Sequence, residues 1–266
     1  MNEDTTQHML QQAKQWVYEA GDLIKEMMER PYEINTKKDR KDLVTEVDKA
    51  TEQFLLDRIR NVYPHHQVMG EEGVGEKVES LDGTVWIIDP IDGTMNFVHQ
   101  GRFFAISVGI YVDGVGEIGL IYDVMNDDLY EARRGGGAYK NGKALNRLDQ
   151  TKAIDDALVG LNNVWATPNR RLKEEAIHDL VRHVKGTRSY GSAALEFAFI
   201  AEGIIDAYVT MRLAPWDVAA GMILVDEVGG KTSRVDGEPL DLLRENTVLC
   251  ANQAIHDDVL RYIVPK

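Results

Sequence analysis

Asp89 and Asp92 stand three residues apart in the stretch WIIDPIDGTMNFVH, residues 86–99. The apolar run 85–88 predicts a buried strand that delivers Asp89 at its C-terminal end. Pro90 cannot continue a sheet ladder, and Asp92-Gly93-Thr94 reads as a turn able to open a helix. Two carboxylates at such a junction can face one pocket. Backbone N–H groups of Gly93 and Thr94 would form an anion seat beside them. Carboxylates next to an anion seat repel a phosphate unless a divalent cation lies between, so the pattern points to metal-assisted chemistry on a phosphate ester. An isolated D-x-x-D-G is usually a surface turn, so the weight falls on the rest of the chain.

Three further acidic stretches stand out, each with an ordinary explanation when taken alone. Glu71 and Glu72 lie in a glycine-flanked loop after a short predicted strand, where acids are commonly just solvated. Asp48, in DLVTEVD, falls in the first turn of a predicted helix, where a negative charge already suits the macrodipole. Asp217, in PWDVAAG, opens another helix, where an N-cap would explain it. The one cysteine, Cys250, sits in the apolar run TVLCAN and is expected to be a buried small hydrophobe. A single thiol forms no internal disulfide and no cysteine cluster for zinc or iron–sulfur. His99 reads as a structural or supporting group, and His178 and His183 as surface residues.

Composition narrows the class. The chain has 266 residues, 44% hydrophobic and 28% charged, an ordinary globular balance. Its formal net charge of -14 argues against a nucleic-acid partner. It also means that any bound phosphate must be neutralised locally. No run approaches the roughly 20 apolar residues of a membrane span. The start, MNEDTTQHML, lacks a basic then apolar signal pattern. The expectation is a cytoplasmic protein with no membrane partner.

The elements that would position these acids follow from periodicity. Residues 6–30 show apolar side chains at three- and four-residue steps and predict one long helix ended by Pro31. Thr45 reads as an N-cap for a second helix that Pro64 stops. QVMG and TVWIID are strands. The runs 104–112 and 115–122 form a hairpin across Asp113-Gly114, and DLYEA is a further strand. The second half alternates: a strand at ALVGLNN, helices over 168–184 and 192–202, a strand at DAYVTM, a helix over 216–228, a strand at TVLCAN and a helix over 255–263. No linker or repeat divides the halves. The reading is two sub-domains sharing an interface, residues 1–150 and 151–266, with helices layered on sheets.

In this order, the acidic stretches resemble the inositol monophosphatase family, within the lithium-sensitive, magnesium-dependent phosphatases. The family's two signatures, W-x-x-D-P-x-D-G-[ST]-x-N-F and W-D-x-[AG]-[AG]-G, stand here as WIIDPIDGTMNF and WDVAAG. DLVTEVD, GEE and RSYGSAA extend the resemblance over nearly the whole chain. It implies an α+β fold, a layered αβαβα sandwich, with the site between the sub-domains and a homodimer as the usual assembly.

The resemblance also implies roles, position by position. Glu71, Asp89 and the Ile91 carbonyl would hold one Mg2+. Asp89, Asp92 and Asp217 would hold a second, and a third, weaker ion would sit near Glu71. Oxygen-only ligands suit hard magnesium. Asp48 and Thr94 would orient the attacking water, with Lys37 near the ions. Gly93 and Thr94 would grip the phosphate, Gly191, Ser192 and Ala193 would line the substrate side, and Arg188 would lie nearby. Animal members carry a Glu seven residues before the second signature's Asp, where it bonds an inositol hydroxyl. Here that position is Thr210, shorter and neutral, with Arg212 close by, so a second negative group on the substrate would be favoured. The implied activity is inositol-1-monophosphatase acting on a small phosphorylated polyol or sugar. Fructose 1,6-bisphosphate, NADP and 3′(2′),5′-bisphosphate nucleotides are the alternative substrates, and a catalytically silent regulatory protein is the alternative from another class.

Overall fold

A computed structural model describes residues 3–36, 43–75 and 77–263. The three- and four-residue apolar spacing is realised in α1 (Glu3–Met28), which buries Met9, Ala13, Trp16, Val17, Ala20 and Ile24. β1 (Ile34–Thr36) and β2 (Leu43–Thr45) pair antiparallel. Thr45 then caps α2 (Glu46–Val62) as expected. Its hydroxyl accepts from the N–H of Val47, and Asp48 Oδ2 reaches back to the Thr45 N–H at 2.8 Å. Such a reciprocal box satisfies helix-end donors that would otherwise be orphaned.

The first sheet runs in the order β3 (Gln67–Gly70), β4 (Thr84–Asp92), β5 (Ala105–Val112), β6 (Val115–Asp123), β7 (Asp128–Arg133), β8 (Gly137–Lys140) and β9 (Lys143–Ala144), with α3 (Thr94–Gln100) between β4 and β5. β3 is parallel to β4, and every later pair is antiparallel. Pro90 stays within β4, but the pairing to β5 shifts register between Asp89 and Asp92. Both carboxylates flank that irregularity at the end of the strand. At the predicted hairpin, Asp113 and Gly114 both take positive φ (49° and 77°), the backbone a tight two-residue turn demands.

The second sheet is built from β10 (Leu158–Leu161), α4 (Glu174–His183), β11 (Gly186–Arg188), α5 (Ala193–Glu202), β12 (Ala207–Leu213), α6 (Pro215–Glu227), β13 (Lys231–Ser233), β14 (Asn246–Ala251) and α7 (Gln253–Tyr262). Its strand order is β11-β10-β12-β14-β13. The helix expected over 168–184 is shorter, beginning at Glu174. Asn169 explains the difference: its Oδ1 accepts from the N–H groups of Arg171 and Leu172, which holds the preceding residues in a turn. β11 and β13 went unforeseen, because three residues are too few to display alternation.

Three apolar cores bind five layers together. One lies between α1, α2 and a face of the first sheet. The second lies between that sheet's other face, α5, α6 and the second sheet. The third lies between the second sheet, α4 and α7. The fold is therefore α+β, an αβαβα sandwich. Small residues set the tight approach of α6. A Cβ on Gly109 would stand 2.8 Å from Ala219 Cβ, and one on Gly119 would stand 2.5 Å from the Ala220 carbonyl oxygen. Gly221 meets Phe197 of α5 in the same way, at 2.3 Å. The Ala-Ala-Gly of the second signature is thus packing that seats the helix carrying Asp217.

A buried carboxylate cluster as candidate metal centre

Asp89, Asp92 and Asp217 each present a carboxylate oxygen within 4.8 Å of the others. β4 supplies the first two and the first turn of α6 the third. Asp89 is 1% and Asp92 6% exposed. Burial pushes Asp89 well above the usual carboxylate range, and the neighbouring charges of Glu71, Asp92, Asp217 and Asp48 push it further. Asp217 is raised by burial and by Asp92 and Glu71. Burial lifts Asp92 to about 6, although hydrogen bonds from Ser192 and Ala194 work the other way. A buried cluster of anions with no basic side chain among these causes is strongly disfavoured unless cations or protons neutralise it. An all-oxygen donor set fits a hard divalent cation.

Each aspartate is held by one of its two oxygens. Asp89 Oδ1 accepts from the Ile91 N–H at 3.0 Å. Asp92 Oδ2 accepts from the Ser192 hydroxyl and from the Ala194 N–H at 2.8 Å, which ties β4 to the start of α5. Asp217 Oδ2 accepts from the Ala214 N–H at 2.7 Å, the same third-position reach that Asp48 makes on α2. Asp48 Oδ2 is held by the Thr45 N–H and hydroxyl, while its Oδ1 lies 3.3 Å from Thr94 Oγ1. The Thr94 hydroxyl also lies 3.2 Å from the Ile91 carbonyl oxygen. Burial raises Asp48, and its bonds from Thr45 oppose that.

Glu71 is half-buried on the loop after β3, and its N–H bonds the Ile88 carbonyl at 3.3 Å. Its charge is felt at Asp48, Asp89, Asp92 and Asp217. The loop is held from below by Glu52 of α2, which is fully buried. Glu52 accepts from the N–H groups of Glu72 at 2.7 Å and Val74 at 2.8 Å. Sequence reasoning missed Glu52, although its four-residue spacing from Asp48 places both on one helix face.

Gly93 has φ 95°, and a Cβ there would meet the Phe103 carbonyl oxygen, Ser192 Cβ and the Gly191 carbonyl oxygen at 3.1–3.2 Å. The position requires glycine on both counts. Asn96 joins the two halves of the site, because its Nδ2 donates to the carbonyls of Phe103 (2.8 Å) and Tyr190 (2.7 Å).

A cleft of about 550 Å³ opens beside the cluster, lined by Asp92, Asp217, Gly191, Ser192, Ala193, Thr210 and Arg212 among others. These predicted substrate-side residues are brought together. Arg188 is not: it is exposed on β11, outside the cleft lining, and donates to the Thr187 carbonyl. Lys37 lies outside the described residues. His99 and His183 are exposed, whereas His178 is half-buried with Nε2 3.0 Å from the Ala166 carbonyl. Trp165, Arg171, Tyr208 and Glu196 also line the cleft and carried no sequence signal. Burial lifts Glu196 to about 7.

A model described as the inositol monophosphatase family matches residues 5–265 of this chain. Inositol-1-monophosphatase of Bacillus subtilis (strain 168) is 53% identical over 247 residues, 93% of either chain. The crystal structure of inositol monophosphatase-II from Staphylococcus aureus MSSA476 superimposes with a TM-score of 0.88 at 42% identity, over 96% of this chain and 92% of that one. A structure of an IMPase/NADP phosphatase with Mg2+ and phosphate gives 0.89 at 27% identity, over 97% and 95%.

Proposed function

The chain belongs to the inositol monophosphatase family, and we propose on that premise that it hydrolyses inositol 1-phosphate to inositol and phosphate. It is a magnesium-dependent phosphoric monoester hydrolase. The observation that carries the reading is the convergence of Asp89 and Asp92 of β4 with Asp217, more than a hundred residues on, in one carboxylate cluster beside a cleft that Asp92 and Asp217 line.

In this reading, Glu71, Asp89 and the Ile91 carbonyl would hold one ion, and Asp89, Asp92 and Asp217 would hold another. When bound, magnesium supplies the positive charge that lowers the pKa of water and stabilises the leaving oxygen. The remaining work falls to the chain. Gly93 and Thr94 offer backbone N–H groups to the phosphate oxygens. The Thr94 hydroxyl, within reach of Asp48 Oδ1, orients the attacking water and relays its proton to that carboxylate. Because that water is itself the nucleophile, attacking phosphorus in line with the leaving oxygen, no protein nucleophile is needed. The leaving polyol rests against Gly191, Ser192 and Ala193. The assembly we favour is a homodimer and the compartment the cytoplasm; none of the described helices is long and apolar enough to cross a membrane.

The test is phosphate release from a panel of monoesters, with Mg2+ or with chelator. Asp92→Asn should lose at least ~10²-fold of the Mg2+-dependent rate, the scale of one removed charge-stabilising group, while keeping the wild-type circular dichroism spectrum. An equally active Asp92→Asn protein would refute the assignment.

A further inference from the structure

A second cleft, of about 820 Å³, lies at the end of α6 remote from the metal centre. It is lined by Asp226, about 14 Å along the helix axis from Asp217. The β5–β6 turn, the loop before β4 and the loop before β14 complete its walls. Leu81, Val115, Met222, Ile223, Leu240 and Leu243 give it an apolar floor. Val115 is 39% and Leu243 42% exposed, so that floor is left partly uncovered.

Most charges around the floor are already engaged. Glu79 pairs with Lys77 at 2.7 Å, and Arg134 with Glu117 at 3.4 Å. Glu227 accepts from the N–H groups of Gly135 and Gly137, each at 2.7 Å. Asp241 holds the Leu243 N–H at 2.9 Å and pairs with Arg244. Asp226 reaches solvent, and its carboxylate makes no hydrogen bond or ion pair among the described residues. It stands in the last turn of α6, which has no basic residue. The carbonyl end of a helix favours a cation and disfavours an acid. Crowding by the cleft walls, which strips water from the carboxyl, and the charge of Glu227 lift it to about 6. An unanswered negative charge therefore stands beside an apolar floor.

We propose that this cleft is a second binding site, which takes a small amphiphilic cation: one ammonium or guanidinium group on an apolar body. Asp226 and the carbonyl end of α6 hold the charge, and the leucine-lined floor covers the body. The volume falls in the range of small-molecule sites, about 300–1,000 Å³, whose linings are apolar with a few orienting polar groups. One unpaired acid suits one positive charge. A polybasic protein segment would call for a ring of free acids, and the other acids of this cleft are taken.

The test is calorimetric titration of the Mg2+-loaded protein with 4-phenylbutylamine, 4-phenylbutanol and butylamine, above neutral pH. The phenyl amine should bind. The alcohol lacks the charge and butylamine lacks the ring, so each should bind at least about tenfold more weakly. Asp226→Asn should weaken the phenyl amine about tenfold and leave the alcohol unchanged. Asp92→Asn, at the metal centre, should leave the phenyl amine unchanged. No binding at millimolar concentration, equal binding of amine and alcohol, or an affinity lost in Asp92→Asn but kept in Asp226→Asn would each overturn the proposal. The ligand comparison on the wild-type protein decides it even if a variant fails to fold. Light scattering adds a last arm: a change of assembly in Asp226→Asn would mean that a second copy of the chain fills the cleft, and would overturn the proposal as well.

Discussion

Glu196 shows how burial assigns a carboxyl its working state. Its Oε1 accepts from the Tyr190 N–H at 2.9 Å, and its Oε2 is buried without a partner among the described residues. Burial lifts it to about 7, with the charge of Asp92 adding to the rise. The folded protein therefore favours the neutral form. That contribution is whole below the ordinary carboxylate range and is lost as pH rises through about 7. Without metal, the melting temperature should decline between about pH 4.5 and 7, and Glu196→Gln should remove part of that slope, an effect of order 2 kcal/mol, the rest belonging to the raised aspartates of the cluster. Thermal melts in chelator at several pH values read it directly, and an unchanged slope in the variant would place the titration elsewhere. Asp89 and Asp92 were legible because their spacing, read together with the acidic stretches around Asp48, Glu71 and Asp217, matched a family pattern. Glu196 was not, because one acid in an apolar helix declares itself only when its surroundings are known.

α2 brings two acids to the site by different routes. Asp48 closes the helix cap and reaches Thr94, and Glu52, one turn on, holds the Glu71 loop. Glu52→Ala would leave the N–H groups of Glu72 and Val74 without their carboxylate and open space beneath Gly70. The expected loss is about 2–4 kcal/mol of stability, together with a ~10-fold rise in the Mg2+ needed for half-maximal rate, the usual size of an outer-shell effect. Thermal melts and a magnesium titration measure the two. Stability lost with the magnesium requirement unchanged would mean that the loop does not position Glu71. Element types were mostly visible beforehand, since α1, α2, the Asp113-Gly114 hairpin and the cap at Thr45 follow from period and local chemistry. The start of α4 was not, because Asn169 competes with the helix through side-chain bonds that apolar spacing does not register.

Across the whole molecule, the site exists because α6 lies close on the first sheet. Gly109 and Gly119 pair across β5 and β6 and face Ala219 and Ala220. Gly119→Ala would drive a methyl group into the Ala220 backbone. The expected cost is about 1–3 kcal/mol, or roughly 2–10 °C in melting temperature, and weaker magnesium activation because Asp217 moves with its helix. Melting together with a magnesium titration would show whether the two losses travel together. The glycines were present in the sequence, but their partners are about 100 residues away. No local pattern links them.

The grip on each aspartate has a consequence for ion choice. With one oxygen of Asp89, Asp92 and Asp217 already engaged by amide or hydroxyl donors, each side chain tends to offer a single oxygen, and two-toothed chelation is disfavoured. Calcium, which takes six to eight ligands and readily accepts both oxygens of a carboxylate, would find the shell undersupplied. The smaller ion, content with six and keeping part of its own hydration, would not. Competition titrations should accordingly rank Ca2+ below Mg2+, and relaxing that restraint with Ser192→Ala should narrow the gap.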